Sequence, residues 1–482
     1  MRRIGVVLVA LVGCGGDGGG VAADGSESSE GETSTSSESG GSTGASELGT
    51  TTAVDGSSSS ESSSSSESTD DGTATVSVDY CGNGELDDGE DCDDANELDG
   101  DACSSQCTRT FDIAWTSIYD APSGTPSHDG AFAITLDASD AIYVAGTARG
   151  DDESGDIWVR QYLADGSEGW TTTWNGADGL TDSAVTIAFS DERVFVGGST
   201  ESDASGPDVA VVAIDVATQD VAWTVVLDGP GAPGPDPDDD RDDVRAIAID
   251  PDGNVVVAAR LRTVASDADL WLAEYTADGV LRWEQSWDDD AAGNDLVESM
   301  RVTDDGRVYA LVLSETDDGF MSFVLVYDDE GNPLLDETID LTDASAVISD
   351  FRPIGGGDVL ASAVDNSGGA IGARLDSTWE PVWATHSQGS AVADIAMAVA
   401  AHDDDALALS AIRFIDDQQD AVVAGFHADG SPWWGDAYDG DAHENDVWRA
   451  IAVDSAGDVI VSGFTMNAAG DFDAMVRKYE PL

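Results

Sequence analysis

From Trp115 to the C-terminus the chain repeats one arrangement of apolar and polar positions. An apolar run ends in Asp, a tight turn follows, and a second apolar run leads through a loop to an aromatic-rich segment. The last copy reads Ala450-Ile451-Ala452-Val453-Asp454, a turn at Ala456-Gly457, then Val459-Ile460-Val461. Earlier copies read Ala246-Ile247-Ala248-Ile249-Asp250 before Val255-Val256-Val257, and Phe132-Ala133-Ile134-Thr135-Leu136-Asp137 before Ile142-Tyr143-Val144. Short β-branched runs bounded by turn residues predict antiparallel strands, and runs this continuously apolar predict burial on both faces.

A second pair of strands follows in each copy, as in Ile157-Trp158-Val159 to Tyr162 and Leu270-Trp271-Leu272 to Tyr275. Each runs into an Ala-Asp-Gly turn, Asp165-Gly166 and Asp278-Gly279, whose glycine admits the positive φ a hairpin needs. Four residues past that glycine stands Trp170, Trp283 or Trp434, with Leu335 in the same place after Gly331; Trp223 and Trp383 mark copies whose turns have drifted. Counting Trp115, the positions recur at a mean spacing of roughly 53 residues, a period of blade-like repeats. The seventh copy ends at Phe472 to Tyr479 without a Trp strand, whereas the first is preceded by an orphan one, Asp112-Ile113-Ala114-Trp115. This frame shift predicts an all-β, seven-bladed β-propeller over residues 111–482, closed by pairing its N- and C-terminal strands. The repeat resembles the bacterial β-propeller repeat of secreted and surface proteins (SBBP-like repeats), whose signature is Ile-Ala-Val-Asp-x-x-Gly-x-Val-x-Val-x-Gly. Departures near 350–364 and 394–412 leave six or eight blades as alternatives.

Upstream the pattern changes three times. Arg2 and Arg3 precede an apolar stretch, Ile4 to Gly13, about half the length of a membrane-spanning helix and therefore an export signal. It ends Leu11-Val12-Gly13-Cys14, which resembles the bacterial lipobox. The resemblance implies a lipoprotein leader over 1–14, acyl chains on Cys14, and a place at the outer membrane or cell surface. An ordinary secretory leader cut nearby is the alternative. Residues 15–76 are Ser, Gly, Thr, Glu and Asp with almost no large apolar side chain, a composition that predicts a disordered tether.

Residues 77–110 hold Cys81, Cys92, Cys103 and Cys107, an even set for two disulfides in an oxidising compartment, with three pairings open. The segments Cys81-Gly82-Asn83-Gly84, Cys92-Asp93-Asp94 and Gly100-Asp101-Ala102-Cys103-Ser104 resemble the Cys-rich repeat of myxobacterial surface proteins. That resemblance implies a small extracellular module. Asp93, Asp94, Asn96, Asp99 and Asp101 are closely spaced oxygen donors of the kind calcium prefers, and Asx-turns within a stapled loop are the competing reading.

Charge narrows the partners. The chain has 97 acidic residues against 19 basic ones, a formal charge of -78, so repulsion of phosphate excludes nucleic acid. Lys478 is its only lysine. Loops feeding the first strand of each blade end in Asp129, Asp182, Asp243, Asp295 and Asp446, candidates for a carboxylate ring that binds calcium at the channel mouth. The alternative is that each caps a turn and solubilises the rim. His128, His386, His402, His427 and His443 show no metal-ligand spacing. The segment Ala213-Ile214-Asp215, Thr218-Gln219 and Trp223 is similar to the docking motif of quinoprotein propellers but occurs once, which favours blade packing. Residues 111–482 hold no Gly-x-Ser-x-Gly elbow and no sialidase Asp-box. The expectation is a monomeric, lipid-anchored, non-enzymatic binding or scaffold propeller for protein or glycan partners. A periplasm-facing assembly scaffold and a polysaccharide-acting enzyme are the alternatives.

Overall fold

A computed structural model describes residues 90–93 and 102–482, except 122–127, 150–153, 204, 232–240, 264–267, 289–292, 317–318, 335–338, 341–345, 366–368, 388–393, 403–405, 416–417 and 441. These belong to one of two compact units; the other is residues 14–77. Cys14, Cys81, Asp94, Asn96, Asp99, Asp101 and Leu335 lie outside the described residues.

The described residues form 28 strands, β1 to β28 in chain order, in seven four-stranded antiparallel sheets. Six sheets each take four successive strands. They begin with β2 (Gly130–Leu136), β6 (Asp182–Ser190), β10 (Asp243–Ile249), β14 (Asp295–Val302), β18 (Ala346–Pro353) and β22 (Asp394–Ala401). The seventh begins with β26 (Asp446–Val453) and joins β28 (Phe472–Pro481) to β1 (Phe111–Tyr119), with Phe111 opposite Pro481 and Tyr119 opposite Ala474. The ring therefore has seven blades, and its two chain ends share one sheet as the frame shift required.

Each blade's first strand touches the first strand of the next, and β26 touches β2, so seven inner strands surround an axis. The core is correspondingly divided into slabs, one per junction. Ala145, Val159, Ile187 and Val212 fill the slab between the first two blades, and Ile142, Trp158, Ile460 and Val476 fill the one that closes the ring. A blade between two such slabs must be apolar on both faces, which is why its strands do not alternate.

Tryptophan explains the coupling of turn and Trp in the repeat. A Cβ on Gly166 would stand 2.6 Å from the Trp115 ring, on Gly279 2.8 Å from Trp223, on Gly331 2.5 Å from Trp283, and on Gly430 2.6 Å from Trp383. The outer-strand Trp of one blade thus lies on the turn glycine of the next. Each of these glycines also has a φ between 78° and 83°, so two constraints demand the same residue. Trp223 Nε1 donates to Ala277 O at 2.9 Å and Trp383 Nε1 to Ala428 O at 3.0 Å, one turn residue in each case.

The closing blade is tied further by Arg477 Nε donating to Thr116 Oγ1 at 2.9 Å and Leu482 N to Thr110 O at 2.9 Å. Lys478, the sole lysine, is buried there with Nζ 2.6 Å from Asp454 Oδ2 and 2.9 Å from Asp458 Oδ2. Burial alone would lower its pKa, but the two carboxylates outweigh burial and hold it above the ordinary value. Upstream, Cys92 is bridged to Cys103, which removes one ambiguity of pairing; Cys107 is disulfide-bonded as well.

Closure makes a direct prediction. Removing Asp112 to Trp115 strips the closing blade of its outer strand and uncovers Gly166. The truncated chain should melt at least 10 °C lower and over a broader range by circular dichroism, and an unchanged melt would show that closure contributes nothing.

Candidate functional site

Every inner strand carries a β-bulge at the same height. The extra residue is Phe132, Val185, Arg245, Glu298, Ser349, Met397 and Arg449 in successive blades. Counting from the bulge aligns the blades. Three residues before it stand Asp129, Asp182, Asp242, Asp295 and Asp446, with Asp394 at the same register position and Ala346 in the fifth blade.

These aspartates face the blade junctions. Asp182, Asp295 and Asp446 are 0% exposed and Asp129 1%. Asp129 accepts Ala121 N at 2.7 Å and Arg149 N at 2.8 Å. Asp242 does the same with Gly229 N at 2.6 Å and Arg262 N at 2.5 Å. Asp182 takes Gly176 N and Asp446 takes Gly440 N, both at 2.6 Å. Asp129, Asp182, Asp242 and Asp446 therefore each hold an amide of the loop that crosses from one blade to the next, and Asp129 and Asp242 also take one from the end of their own blade's second strand. Sequence reading placed Asp243 in this set; the bulge register assigns the position to Asp242. Asp243, one residue on, lies beside Arg260 Nε at 3.2 Å and Arg245 Nε at 3.4 Å.

The junctions gather more acid than one residue each. Asp208, Asp228 and Asp242 bring carboxylate oxygens within 4.8 Å of one another, and Asp269, Asp288 and Asp295 do so at the next junction. The two sets are equivalent. Asp208 and Asp269 directly precede the third-strand residues that pair with Leu227 and Trp287, and Asp228 and Asp288 directly follow those partners. Burial raises the pKa of Asp208, and that of Asp242 to about 6; Gly229 and Arg262 amides oppose the latter shift, while Asp228 and Asp208 add to it. Burial likewise raises Asp420 and Asp446, with Asp439 adding to both, and raises Asp473, with Asp120 and Asp129 adding.

Arginines also stand on the inner strands. Glu298 is the exposed bulge residue of β14, yet the surrounding protein raises its pKa while Arg245 and Arg260 oppose the shift. Three residues beyond the bulge, β14 and β18 carry Arg301 and Arg352. Arg301 pairs with Asp350 at 2.6 Å, and Asp350 also accepts Ser299 Oγ at 2.5 Å and Val399 N at 3.1 Å, linking three blades. Arg352 is exposed and has no ion pair or hydrogen bond among the described residues. Desolvation lowers its pKa, Arg301 lowers it further, and Asp350 opposes them. Arg301 and Arg352 hold the same register position on neighbouring inner strands, and Arg352 meets solvent there. The arginines are separated in sequence, and the packing of successive blades brings their inner strands side by side.

Of the remaining predicted residues, Asp93 is described and its four companions are not. His402 and His427 flank Trp433 with ring centroids 5.7 and 5.2 Å away. His386 pairs with Asp365 at 2.8 Å and His443 with Asp439 at 2.7 Å.

No protein-family model matches the chain, and no curated protein does. Among solved structures it is similar to a quinohemoprotein alcohol dehydrogenase from Comamonas testosteroni, at 10% identity and TM-score 0.39 over 77% of this chain and 76% of that one. It is similar to a protein of unknown function from Dyadobacter fermentans, at 11% identity and TM-score 0.42 over 77% of this chain and 100% of that one. A polysaccharide lyase matches at 11% identity and TM-score 0.46 over 75% of this chain and 90% of that one. Two of these proteins are enzymes by name, so the expectation of a non-enzymatic chain finds no support among them; likenesses at this level show the fold alone. These likenesses assign no substrate.

The shift at Asp242 fixes a pH dependence. Its folded pKa, about 6, exceeds the ordinary 3.8, so its contribution to stability is complete below about pH 4 and is lost as pH rises through 6. In chelated buffer with 0.5 M NaCl the melting temperature should fall between pH 5 and 7, and Asp242→Asn should flatten that slope. An equal slope in the variant would refute the assignment.

Proposed function

We propose that the chain is a surface-displayed binding propeller whose axial channel takes an anionic group of a protein or glycan partner. Lipid on Cys14 anchors it, residues 15–76 form the tether, and residues 111–482 present the channel. The observation that carries this reading is Arg352, an arginine without a partner among the described residues, beside Arg301 on the neighbouring inner strand. A guanidinium crowded by protein is costly unless an anion meets it, and its planar fork suits a carboxylate in two-point contact. In a chain of charge -78 this cationic interior is the place where an acidic ligand finds attraction.

Two consequences can be measured with the full chain and a polyuronate, using a neutral glucan as control. Arg352→Gln should weaken polyuronate binding about tenfold, the loss of about 1.4 kcal/mol. Association should also quicken as salt rises from 20 to 150 mM, because screening removes the repulsion of the acidic exterior before it weakens the enclosed contact. Equal binding by parent and variant would overturn the channel assignment, and depolymerisation of the glycan would replace binding by turnover.

A further inference from the structure

The junction carboxylates exceed what their loops require. At the junction between the second and third blades, Asp242 already accepts two backbone amides, and its own N–H donates to Pro207 O at 2.9 Å, seating Asp208 beside it. Asp208 is 5% exposed; its Oδ2 accepts Ser205 Oγ at 3.1 Å, and its Oδ1 is buried with no hydrogen-bond partner. Asp228, exposed, completes the set from the end of the outer strand. Beyond burial, Asp228 and Asp178 raise the pKa of Asp208, and Asp228 and Asp208 raise that of Asp242, while Arg260, paired with Asp243, is the cation that senses Asp242. An orphan oxygen in a buried acid cluster costs free energy unless a cation meets it.

We propose that Asp208, Asp228 and Asp242 form a calcium site that pins one blade to the next, and that Asp269, Asp288 and Asp295 form its repeat one blade on. Spacing supports the ion. Oxygens held about 2.4 Å from one calcium stand at most about 4.8 Å apart, and carboxylates are the hard donors that calcium takes. The three carboxylates in each set lie within 4.8 Å of one another. One exposed ligand, Asp228 or Asp288, leaves a side open for the waters that calcium's six to eight oxygen ligands include. The site joins two blades because Asp208 and Asp228 belong to one and Asp242 leads into the next. It is independent of the arginine channel.

The test uses the full chain, stripped with chelator and dialysed into 0.5 M NaCl at pH 7.5, where diffuse attraction to the acidic surface is screened. Calorimetric titration with calcium chloride should show saturable uptake with dissociation constants of about 0.1–1 mM or tighter. Asp228→Asn and Asp288→Asn alter exposed residues and leave the fold intact. Each should remove one equivalent of calcium, and the double variant should lose two together with most of the calcium-dependent rise in melting temperature. Asp329→Asn, in an exposed acidic turn, should change neither. Absence of saturable uptake, or a double variant that binds as many ions as the parent, would overturn the proposal.

Discussion

A blade of this ring can be apolar on both faces only because another blade stands on each side of it. The first and seventh blades meet that condition through one contact, the pairing of β1 with β28. The core is mainly seven slabs between neighbours, with a smaller cluster of Ile412, Val447 and Phe464 shared by the last two blades, so opening the ring at any junction exposes both walls of a slab. The pairing of β1 with β28 is the one place in the seven sheets where neighbouring strands are not consecutive in the chain. It rests on eight paired positions, the bond from Arg477 to Thr116, and a backbone bond beyond the strand ends from Leu482 to Thr110.

That architecture was legible because its determinants are local. Apolar runs, Asp-Gly turns and a Trp at fixed offset are read within one repeat, and the displaced Trp115 strand shows how the ends meet. Blades five and six obscured the count because their signals had drifted. Trp379 takes a positive φ where other blades use glycine, and the Gly355 to Gly357 turn replaces the usual Asp-containing one. The functional residues were less legible because they are assembled between repeats. Asp242 and Asp243 cannot be ranked from sequence; only the bulge register shows which enters the junction. Arg245, Arg301 and Arg352 sit on different blades, and no spacing along the chain announces that they share one channel.

Charge is distributed by the same geometry. With 19 basic residues against 97 acidic ones, few carboxylates can find a basic partner, and those that face solvent are screened there. Several of the few cations occupy enclosed places, with Arg245, Arg260, Arg301 and Arg352 around the axis and Arg477 and Lys478 in the closing seam. A basic side chain placed inside an acidic shell experiences the summed field of that shell, so these positions attract anions locally while the molecule as a whole repels them.

The blade junctions show how much acid the fold itself needs. A loop that leaves one sheet for the next carries amides that neither sheet can satisfy, and one aspartate accepting them meets that need, as Asp129 does with two bonds. The fifth blade has Ala346 at this position, so even that single carboxylate is dispensable at one junction of the ring. Asp208 and Asp228 lie beyond this requirement, because Asp242 already serves both amides there. Asparagine stands at the corresponding place after the first blade, where Asn175 follows Trp174 as Asp228 follows Leu227. Loop satisfaction therefore explains one acid per junction, and the proposed calcium accounts for the clustering of three.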